Sequence, residues 1–247
     1  MPDAIFAHPR LAAVYDAFDG DRGDLAAYLD IATQLGADRV LDVGCGTGSL
    51  ALLLAEHGRT VVGIDPAAAS LEIAKSKDRE GLVTWLCGDA TILPALDIDL
   101  ALMTGNVAQV FLTDDDWTRT LRGIHAALRP GAHFVFETRR PERRAWEDWA
   151  AEAPVTLDVP GLGMVQRRLE VTDVDLPLVS FRFTYRFLTD GEVVTSDSTL
   201  RFRDRDDLES SLVANGYRMM DVRDAPDRPG REFVFIAERA GSRQSAE

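Results

Sequence analysis

Two glycines and two aspartates have the residue types and spacing required to hold a nucleotide-like molecule. Gly44 and Gly46 lie just after one short apolar run, and Asp65 and Asp89 each lie after a later one. Glycine has no Cβ atom, so the chain can turn sharply and a ligand can approach its backbone closely. A carboxylate after the next strand can accept two hydrogen bonds from a ribose diol. The later carboxylate could accept one from an adenine amino group, so the four residues predict a site for an adenosine-like group.

The glycine loop also has a purely structural interpretation. Segment Val40–Gly48 is typical of a buried strand that runs into a turn, followed by a helix whose first N–H groups have no partner. Doubly wound sheets bind nucleotides at such a turn, and a glycine turn without a ligand is the alternative. The dinucleotide pattern G-x-G-x-x-G is not fully matched, because Ser49 occupies the third position and Gly48 lies one place earlier.

Each aspartate has a structural alternative as well. Asp65 precedes Pro66, and proline is favoured at the first position of a helix, so the Asp65 carboxylate could cap that helix. Capping and ribose binding are compatible. Asp89 follows Gly88 and could form an Asx turn with its own backbone instead of contacting adenine.

Hydrophobic periodicity places these residues at strand ends in an alternating series of strands and helices. Strands are predicted at 39–43, 60–64, 82–87, 98–103 and 132–137. Helices are predicted at 10–19, 22–35, 48–57, 67–77 and 114–128. Such alternation favours an open parallel sheet that helices cover on both faces.

The pattern changes after about residue 153 to an alternation of apolar and polar residues. Strands are predicted at 164–174, 178–188 and 192–203, with the hairpin turn Asp190–Gly191 before the last of them. This stretch is typical of an antiparallel sheet of about three strands. A helix at 205–214 and a strand pair at 217–223 and 232–238 follow, and a disordered tail is expected from 241 to 247.

Composition excludes several classes of function. The 247 residues carry a formal net charge of −14, which repels nucleic acid unless a local basic patch overrides it. No apolar run is long enough to cross a bilayer. The four histidines are scattered and the two cysteines form no CxxC pair, so no metal site is expected. Few cysteines and no export signal favour a cytoplasmic location.

The ordered set of motifs resembles the class I, Rossmann-like S-adenosylmethionine-dependent methyltransferases, in particular the bacterial small-molecule type. The matching segments are Leu41–Gly48, Gly63–Pro66, Gly88–Ala90, Leu100–Gln109 and Leu128–Ala132. The resemblance implies an α/β fold with a doubly wound, mostly parallel seven-stranded sheet whose last strand is antiparallel. It assigns 1–153 and 204–240 to that domain, and 154–203 to a small inserted antiparallel sheet that covers the substrate cleft.

The resemblance also implies that S-adenosyl-L-methionine is the cofactor, and it assigns roles to matching positions. The implied binding residues are Tyr15, Gly44, Cys45, Gly46, Asp65, Pro66, Asp89, Ala90, Gly105 and Asn106. The two loop glycines would line the methionine portion, Asp65 would hold the ribose, and Asp89 with the Ala90 N–H would contact adenine. Gly105 and Asn106 would face the methionine end and the substrate. Tyr15 would close over the cofactor, the alternative being a core aromatic residue on an N-terminal helix.

No catalytic residue is assigned. Methyl transfer from a sulfonium is an in-line displacement with an already activated leaving group, so alignment and exclusion of water are the main tasks of the protein. A base is needed only for some acceptors. His57, His125 and His133 are interpreted as structural, and His8 is a weaker candidate for a substrate contact.

Two other groups of side chains have both a functional and a structural interpretation. Eight arginines could gather an anionic substrate or pair with local carboxylates on a solvated face: Arg139, Arg140, Arg143, Arg144, Arg167, Arg168, Arg182 and Arg186. Four aromatic residues favour a packed sheet face, with a substrate platform as the alternative: Phe181, Phe183, Tyr185 and Phe187.

Two other functions stay open on sequence grounds. A nicotinamide-dependent oxidoreductase would explain the glycine loop and Asp65, although it leaves the segment Gly88–Ala90 and the terminal strand pair without a role. A binding module that retains the pocket without turnover would act as a regulator. The expected partner is a small-molecule substrate, with no nucleic acid and no membrane, and the expected assembly is a monomer or a homodimer.

Overall fold

The computed structural model describes residues 1–241, so the predicted tail lies, except for Gly241, outside the described residues. The strands are β1 Arg39–Val43, β2 Thr60–Asp65, β3 Val83–Cys87, β4 Ile98–Met103, β5 Leu128–Arg139, β6 Val155–Val159, β7 Gly163–Asp175, β8 Leu178–Phe187, β9 Val193–Arg201, β10 Tyr217–Asp224 and β11 Glu232–Arg239. The helices are α1 Ala4–Ala7, α2 Pro9–Asp19, α3 Leu25–Gln34, α4 Ser49–Glu56, α5 Ala68–Lys77, α6 Asp114–Ala127, α7 Ala145–Ala150 and α8 Arg205–Ala214.

Seven strands form one sheet in the order β10-β11-β5-β4-β1-β2-β3. Strands β1 to β5 are parallel, whereas β11 runs antiparallel to both β5 and β10. The order reverses between β1 and β4, which is the switch point where open α/β sheets bind ligands. The predicted doubly wound sheet with an antiparallel last strand is therefore confirmed.

The sheet is buried because its central strands are apolar on both faces. In β5, Phe134 and Phe136 pack into the core on one side of the sheet, and Val135 packs into the core on the other. This alternation is the period of a strand with helices on both faces. Phe136 is fully buried, and its truncation to alanine would cost about 3–5 kcal/mol of stability.

The remaining four strands form a separate antiparallel sheet in the order β6-β7-β8-β9. The sequence predicts only three of them, because β6 has only five residues, although its apolar Val155, Leu157 and Val159 do alternate with exposed polar residues. The short helix α7 also escapes prediction. Its Trp146 packs edge-on against Phe202, with ring centroids 4.9 Å apart, and this tertiary contact stabilises a helix too short to form alone.

The N-terminal helices connect the two sheets. Ile5 and Leu11 share a buried apolar cluster with Val165 and Phe187 of the four-stranded sheet. The Ile5 N–H donates to the Ser196 hydroxyl of β9 over 2.8 Å. On the other side, Ser70 of α5 donates to the Phe6 carbonyl over 2.9 Å. No helix within residues 1–241 is long and apolar enough to span a membrane.

Candidate active site

A cavity of about 870 Å³ lies between the strand tips of the large sheet and one face of the four-stranded sheet. Nine of the ten residues assigned by resemblance line it: Tyr15, Gly44, Cys45, Gly46, Asp65, Pro66, Asp89, Gly105 and Asn106. The tenth, Ala90, is buried and does not belong to the lining. The fold thus gathers in one place residues that are dispersed over the first half of the chain.

The glycine loop has a geometry that other residues would resist. Gly44, Gly46 and Gly48 have φ angles of 73°, 52° and 81°, in the left-handed region that glycine adopts without strain. A Cβ at Gly44 would lie 2.8 Å from the Val107 side chain, and one at Gly48 would lie 2.5 Å from the Trp85 ring. Position 48 thus has no room for a side chain beside Trp85, whereas a Cβ at Gly46 would meet no atom within 4 Å.

Asp65 ties the loop to the start of α5. One of its carboxylate oxygens accepts a hydrogen bond from the Gly46 N–H and the other accepts one from the Ala67 N–H, both over 2.8 Å. Because α5 begins at Ala68 and its N-cap position is Ala67, Asp65 makes a turn bond just before the helix and is not the N-cap considered as an alternative. Burial raises the pKa of Asp65, although these two N–H donors oppose the shift. Each oxygen keeps a second acceptor position for a ligand.

A second carboxylate, which the sequence interpretation did not assign, lies under the loop. Asp42 of β1 lines the cavity and is only 2% exposed. Burial, with the nearby charge of Asp65 as the next cause, raises the pKa of Asp42 to about 7. The available signal was a single charged residue inside the apolar run Val40–Val43, because a charge at such a position is costly unless it has a role or a partner.

Asp89 follows β3 and makes the Asx turn considered as an alternative, since one of its oxygens accepts from the Thr91 N–H over 2.8 Å. Asp89 is exposed at the rim of the cavity. Ala90 is buried instead against α6, where a Cβ at Gly123 would collide with the Ala90 carbonyl oxygen. Gly123 is thus a helix glycine required by close packing, and nothing in its sequence context indicates that.

The tip of β4 carries an unusual backbone conformation. Asn106 has φ 60° and is 2% exposed, and a non-glycine residue in this region is uncommon. Its Nδ2 donates to Glu232 Oε1 over 3.0 Å, while its buried Oδ1 makes no hydrogen bond within the described residues. The Gly105 N–H donates to Glu137 Oε1 over 2.6 Å. Two buried glutamates therefore hold this turn in place.

These glutamates belong to a buried polar network that the sequence interpretation missed. Glu137 also accepts a hydrogen bond from the Tyr28 hydroxyl. Arg228 donates to Glu232 over 3.0 Å and lies 3.8 Å from Glu137. Burial, and next the charge of Glu137, raises the pKa of Glu232. Both glutamates interrupt or begin an apolar strand, which is the signal that could have indicated them.

The opposite wall of the cavity comes from the four-stranded sheet and α7. Phe181, Phe183 and Tyr185 line it, whereas Phe187 packs in the core under the N-terminal helices. The aromatic stripe thus serves as both a packed face and a cavity wall. Of the eight arginines, Arg139 and Arg167 line the cavity. Four others pair with local carboxylates, as the structural alternative predicts: Arg140, Arg144, Arg168 and Arg182.

Tyr15 and the histidines have distinct positions. Tyr15 lines the cavity and also packs against Phe6 with ring centroids 5.4 Å apart, so both of its considered roles are compatible with the structure. Burial, and next the charge of Asp19, raises the pKa of Tyr15 well above its usual value. His57 bonds to the Leu53 carbonyl within its own helix end, and His8 does not belong to the cavity lining.

Comparison with known proteins decides the family. Residues 40–131 match a family model described as a methyltransferase domain. A protein of Anoxybacillus flavithermus named as a methyltransferase is 31% identical over 188 residues, which cover 76% of this chain and 82% of that protein. The chain belongs to the S-adenosylmethionine-dependent methyltransferases. S-adenosylmethionine is therefore its cofactor, and the nicotinamide alternative is excluded.

Two further matches describe how far the likeness extends. A methyltransferase of Oceanobacillus iheyensis is 37% identical over 99 residues, but the match covers only 40% of this chain and 46% of that protein. Among solved structures, the sugar N-methyltransferase KedS8 of Streptoalloteichus superposes with a TM-score of 0.76 at 19% identity, over 92% of this chain and 93% of that one. At that identity the superposition shows the common fold alone.

Proposed function

We propose that this methyltransferase transfers the methyl group of S-adenosylmethionine to a small molecule held beneath the four-stranded sheet. The observation that carries the proposal is the single cavity with two unlike walls. Strand tips with a glycine loop and carboxylates form one wall, and aromatic side chains form the other. A volume of about 870 Å³ is within the range of small-molecule sites.

The residues at the strand tips fit a cationic adenosyl compound. Asp42, Asp65 and Asp89 give this wall a negative charge, which suits a ligand that carries a sulfonium and an ammonium group. The open space beside Gly46 allows close approach to the backbone, and the buried Oδ1 of Asn106 lacks a hydrogen-bond donor among the described residues. Bound there, S-adenosylmethionine would supply a methyl group on a positively charged sulfur.

Individual residues have proposed roles toward that compound. The carboxylate of Asp65 accepts from the ribose hydroxyls with its remaining acceptor positions, and the second oxygen of Asp89 accepts from the adenine amino group. Gly44 and Gly46 border the methionine portion together with Asn106. Tyr15 covers the site from α2. The arrangement is supported by the common cavity that these residues line.

The chain's own contribution to the reaction is alignment and exclusion of water. Helices α1 and α2 close the cavity from above and are fastened to both sheets, because the Ile5 N–H bonds to Ser196 and the Thr47 hydroxyl bonds to Asp16. A fixed roof keeps the acceptor near the reacting methyl group and removes competing water, effects that together account for several kcal/mol of a displacement barrier.

Calorimetry followed by a turnover assay tests this proposal. S-adenosylmethionine and S-adenosylhomocysteine should bind the purified chain, and NAD should not. A panel of small hydroxyl-, amine- and carboxylate-bearing metabolites should then give at least one compound that consumes the donor. Donor binding without turnover on any compound would favour the non-catalytic module, and absence of donor binding would contradict the proposal altogether.

A further inference from the structure

The cavity lining contains one arginine whose charge is not satisfied by an adjacent carboxylate. Arg139, the last residue of β5, lines the cavity, and its side chain is 24% exposed. Its Nη1 donates to Gln109 Oε1 over 2.9 Å. The nearest carboxylate oxygen is Glu232 Oε1, 3.9 Å from Nε, and that oxygen already accepts hydrogen bonds from Asn106 and Arg228.

The other lining arginines differ from Arg139. Arg167 contacts Glu152 at 2.9 Å and Arg22 contacts Asp24 at 2.9 Å. Arg119, likewise, bonds directly to a carboxylate of its own helix. Among the arginines of residues 1–241 that line the cavity, Arg139 therefore lacks a carboxylate at hydrogen-bond distance. Its Nη2 makes no hydrogen bond to the described residues.

Three aromatic rings, each edge-on to the next, lie beside this guanidinium. Arg139 lies over the Trp149 ring, 5.2 Å from its centroid. The Trp149 ring lies 5.2 Å from Phe181, and Phe181 lies 5.6 Å from Phe183. Arg167 in turn lies over Phe183 at 5.2 Å. Together Trp149, Phe181 and Phe183 form an aromatic wall with a positive charge at each end.

We propose that the methyl acceptor is a planar aromatic acid, whose carboxylate binds the free edge of Arg139 and whose ring packs on the aromatic wall. The inference rests on the proposed function and names its substrate class. Arginine presents paired N–H groups that match a carboxylate. Aromatic rings bind to one another in offset or edge-on arrangements. Burial also lowers the pKa of Arg139 despite the charge of Glu232, so a bound carboxylate would stabilise its cation.

The test uses two matched pairs of probes with S-adenosylhomocysteine at saturation. Calorimetry should show that 2-naphthoate and benzoate each bind about tenfold or more tightly than 2-naphthamide and benzamide, since hydrogen bonds to charged groups are the stronger ones. Cyclohexanecarboxylate should bind more weakly than benzoate because it has no aromatic ring to pack offset or edge-on against the aromatic wall. Equal affinities for acids and amides would overturn the proposal.

Variants locate the effect at Arg139. Arg139→Gln should lose about tenfold in affinity for 2-naphthoate and keep its affinity for 2-naphthamide, and Arg139→Lys should recover part of the loss. Arg182→Gln, which changes an exposed arginine paired with Asp197 on β9, is the matched control and should behave like the wild type.

The outcomes separate the two proposals. If S-adenosylhomocysteine binds but no aromatic acid does, or if Arg139→Gln binds 2-naphthoate as tightly as the wild type, the aromatic acid is wrong while the proposed function stands. If S-adenosylhomocysteine fails to bind the wild-type chain, the proposed function is wrong and the inference with it. A misfolded Arg139→Gln variant would be recognised by its thermal melting. The affinities of the Arg139→Lys variant and of the acid and amide probe pairs would then decide whether the aromatic acid is correct.

Discussion

The two walls of the cavity differ in how the chain builds them. The strand-tip wall uses backbone groups and carboxylates that lie within a few residues of a strand end, as at Gly44, Gly46 and Asp65. The aromatic wall uses side chains from α7 and β8 that meet only after the four-stranded sheet has formed. One wall is fixed by local turn geometry, and the other by tertiary packing.

The charge of the two walls differs as well. Carboxylates dominate the tips of β1, β2 and β3, whereas aromatic rings dominate the other side, with the guanidiniums of Arg139, from the tip of β5, and Arg167, from β7, placed over them. This difference teaches that the donor and acceptor halves can be altered separately. Substitutions at the strand tips should change affinity for the donor, and substitutions on the aromatic wall should leave it unchanged. The predictions below are ordered by their expected effect on donor affinity.

The largest effect is expected from Asp65→Ala. The change removes the proposed ribose acceptor together with the bonds to Gly46 and Ala67, and the loss of two charge-assisted hydrogen bonds corresponds to about 100-fold in affinity. Calorimetry with S-adenosylhomocysteine measures it. Asp65→Asn should lose less, because an amide oxygen still accepts. An Asp65→Ala chain that is folded and binds normally would remove the basis of the cofactor site.

A smaller loss, about tenfold, is expected from Gly44→Ala, because an alanine at φ 73° is strained by about 1–2 kcal/mol and the loop that borders the ligand would shift to relieve that strain. The new Cβ would also collide with Val107. Gly58→Ala is the matched control, since Gly58 has φ 80° and open space and lies outside the cavity lining. It should lose stability and keep its donor affinity. If the second change Val107→Ala fails to restore any affinity to Gly44→Ala, the collision is irrelevant.

The difference between the walls also explains how much the sequence could predict. The order of strands and helices and the positions of Gly44, Gly46, Asp65 and Asp89 follow from local patterns, because each motif lies at one strand end. The other five lining residues were assigned only by the family resemblance. The network of Glu137 and Glu232 does not follow from local patterns, since it depends on the antiparallel register that pairs Val234 with Glu137 and Glu232 with Arg139. Sequence spacing alone carries no information on that register.

The weak point of the prediction is again the aromatic side. Periodicity indicated β7, β8 and β9, but it could not decide whether Phe183 packs in a core or lines a cavity. The same alternation of apolar and polar residues results whether the apolar face lies against a core or against a cavity. The position of α1 and α2 over the sheet decides which of these side chains stay accessible. The short helix α7 depends on tertiary contacts that leave no periodic pattern, and the period-two pattern of β6 covers only five residues.

A change of a few-fold with pH is expected from Asp42. Its pKa of about 7 in the folded chain means that the group is neutral below and negatively charged above that pH. Affinity for a cationic donor should therefore rise between pH 6 and pH 8 in the wild type, and Asp42→Asn should flatten the rise. Calorimetry at both pH values measures the change in affinity for the wild type and for Asp42→Asn. Subtracting one change from the other removes the effect of titration of the donor itself.

The raised pKa of Asp42 also determines how the free energy of unfolding of the ligand-free chain changes with pH. The folded pKa of Asp42 is raised from 3.8, so between these values the native state binds more protons than the unfolded state. Its contribution to stability is then present at low pH and is lost as pH rises toward 7. Urea unfolding of the wild type minus that of Asp42→Asn should decline over this interval. A difference that grows with pH would contradict the assignment.

The smallest effect on donor affinity, within about twofold and so below about 0.4 kcal/mol, is expected from Phe183→Leu on the aromatic wall. The Phe183 ring lies 6.1 Å from the Tyr185 ring, measured between centroids, and the guanidinium of Arg167 lies over it. None of these aromatic and cationic partners belongs to the glycine loop. The substitution should weaken binding of 2-naphthoate, because a leucine offers no aromatic ring for the ligand to pack against. Calorimetry of S-adenosylhomocysteine and 2-naphthoate on the same preparation compares the two halves directly. If Phe183→Leu lowered donor affinity as much as Gly44→Ala, the walls would be coupled, and the fastening of α1 and α2 to both sheets would be the physical route.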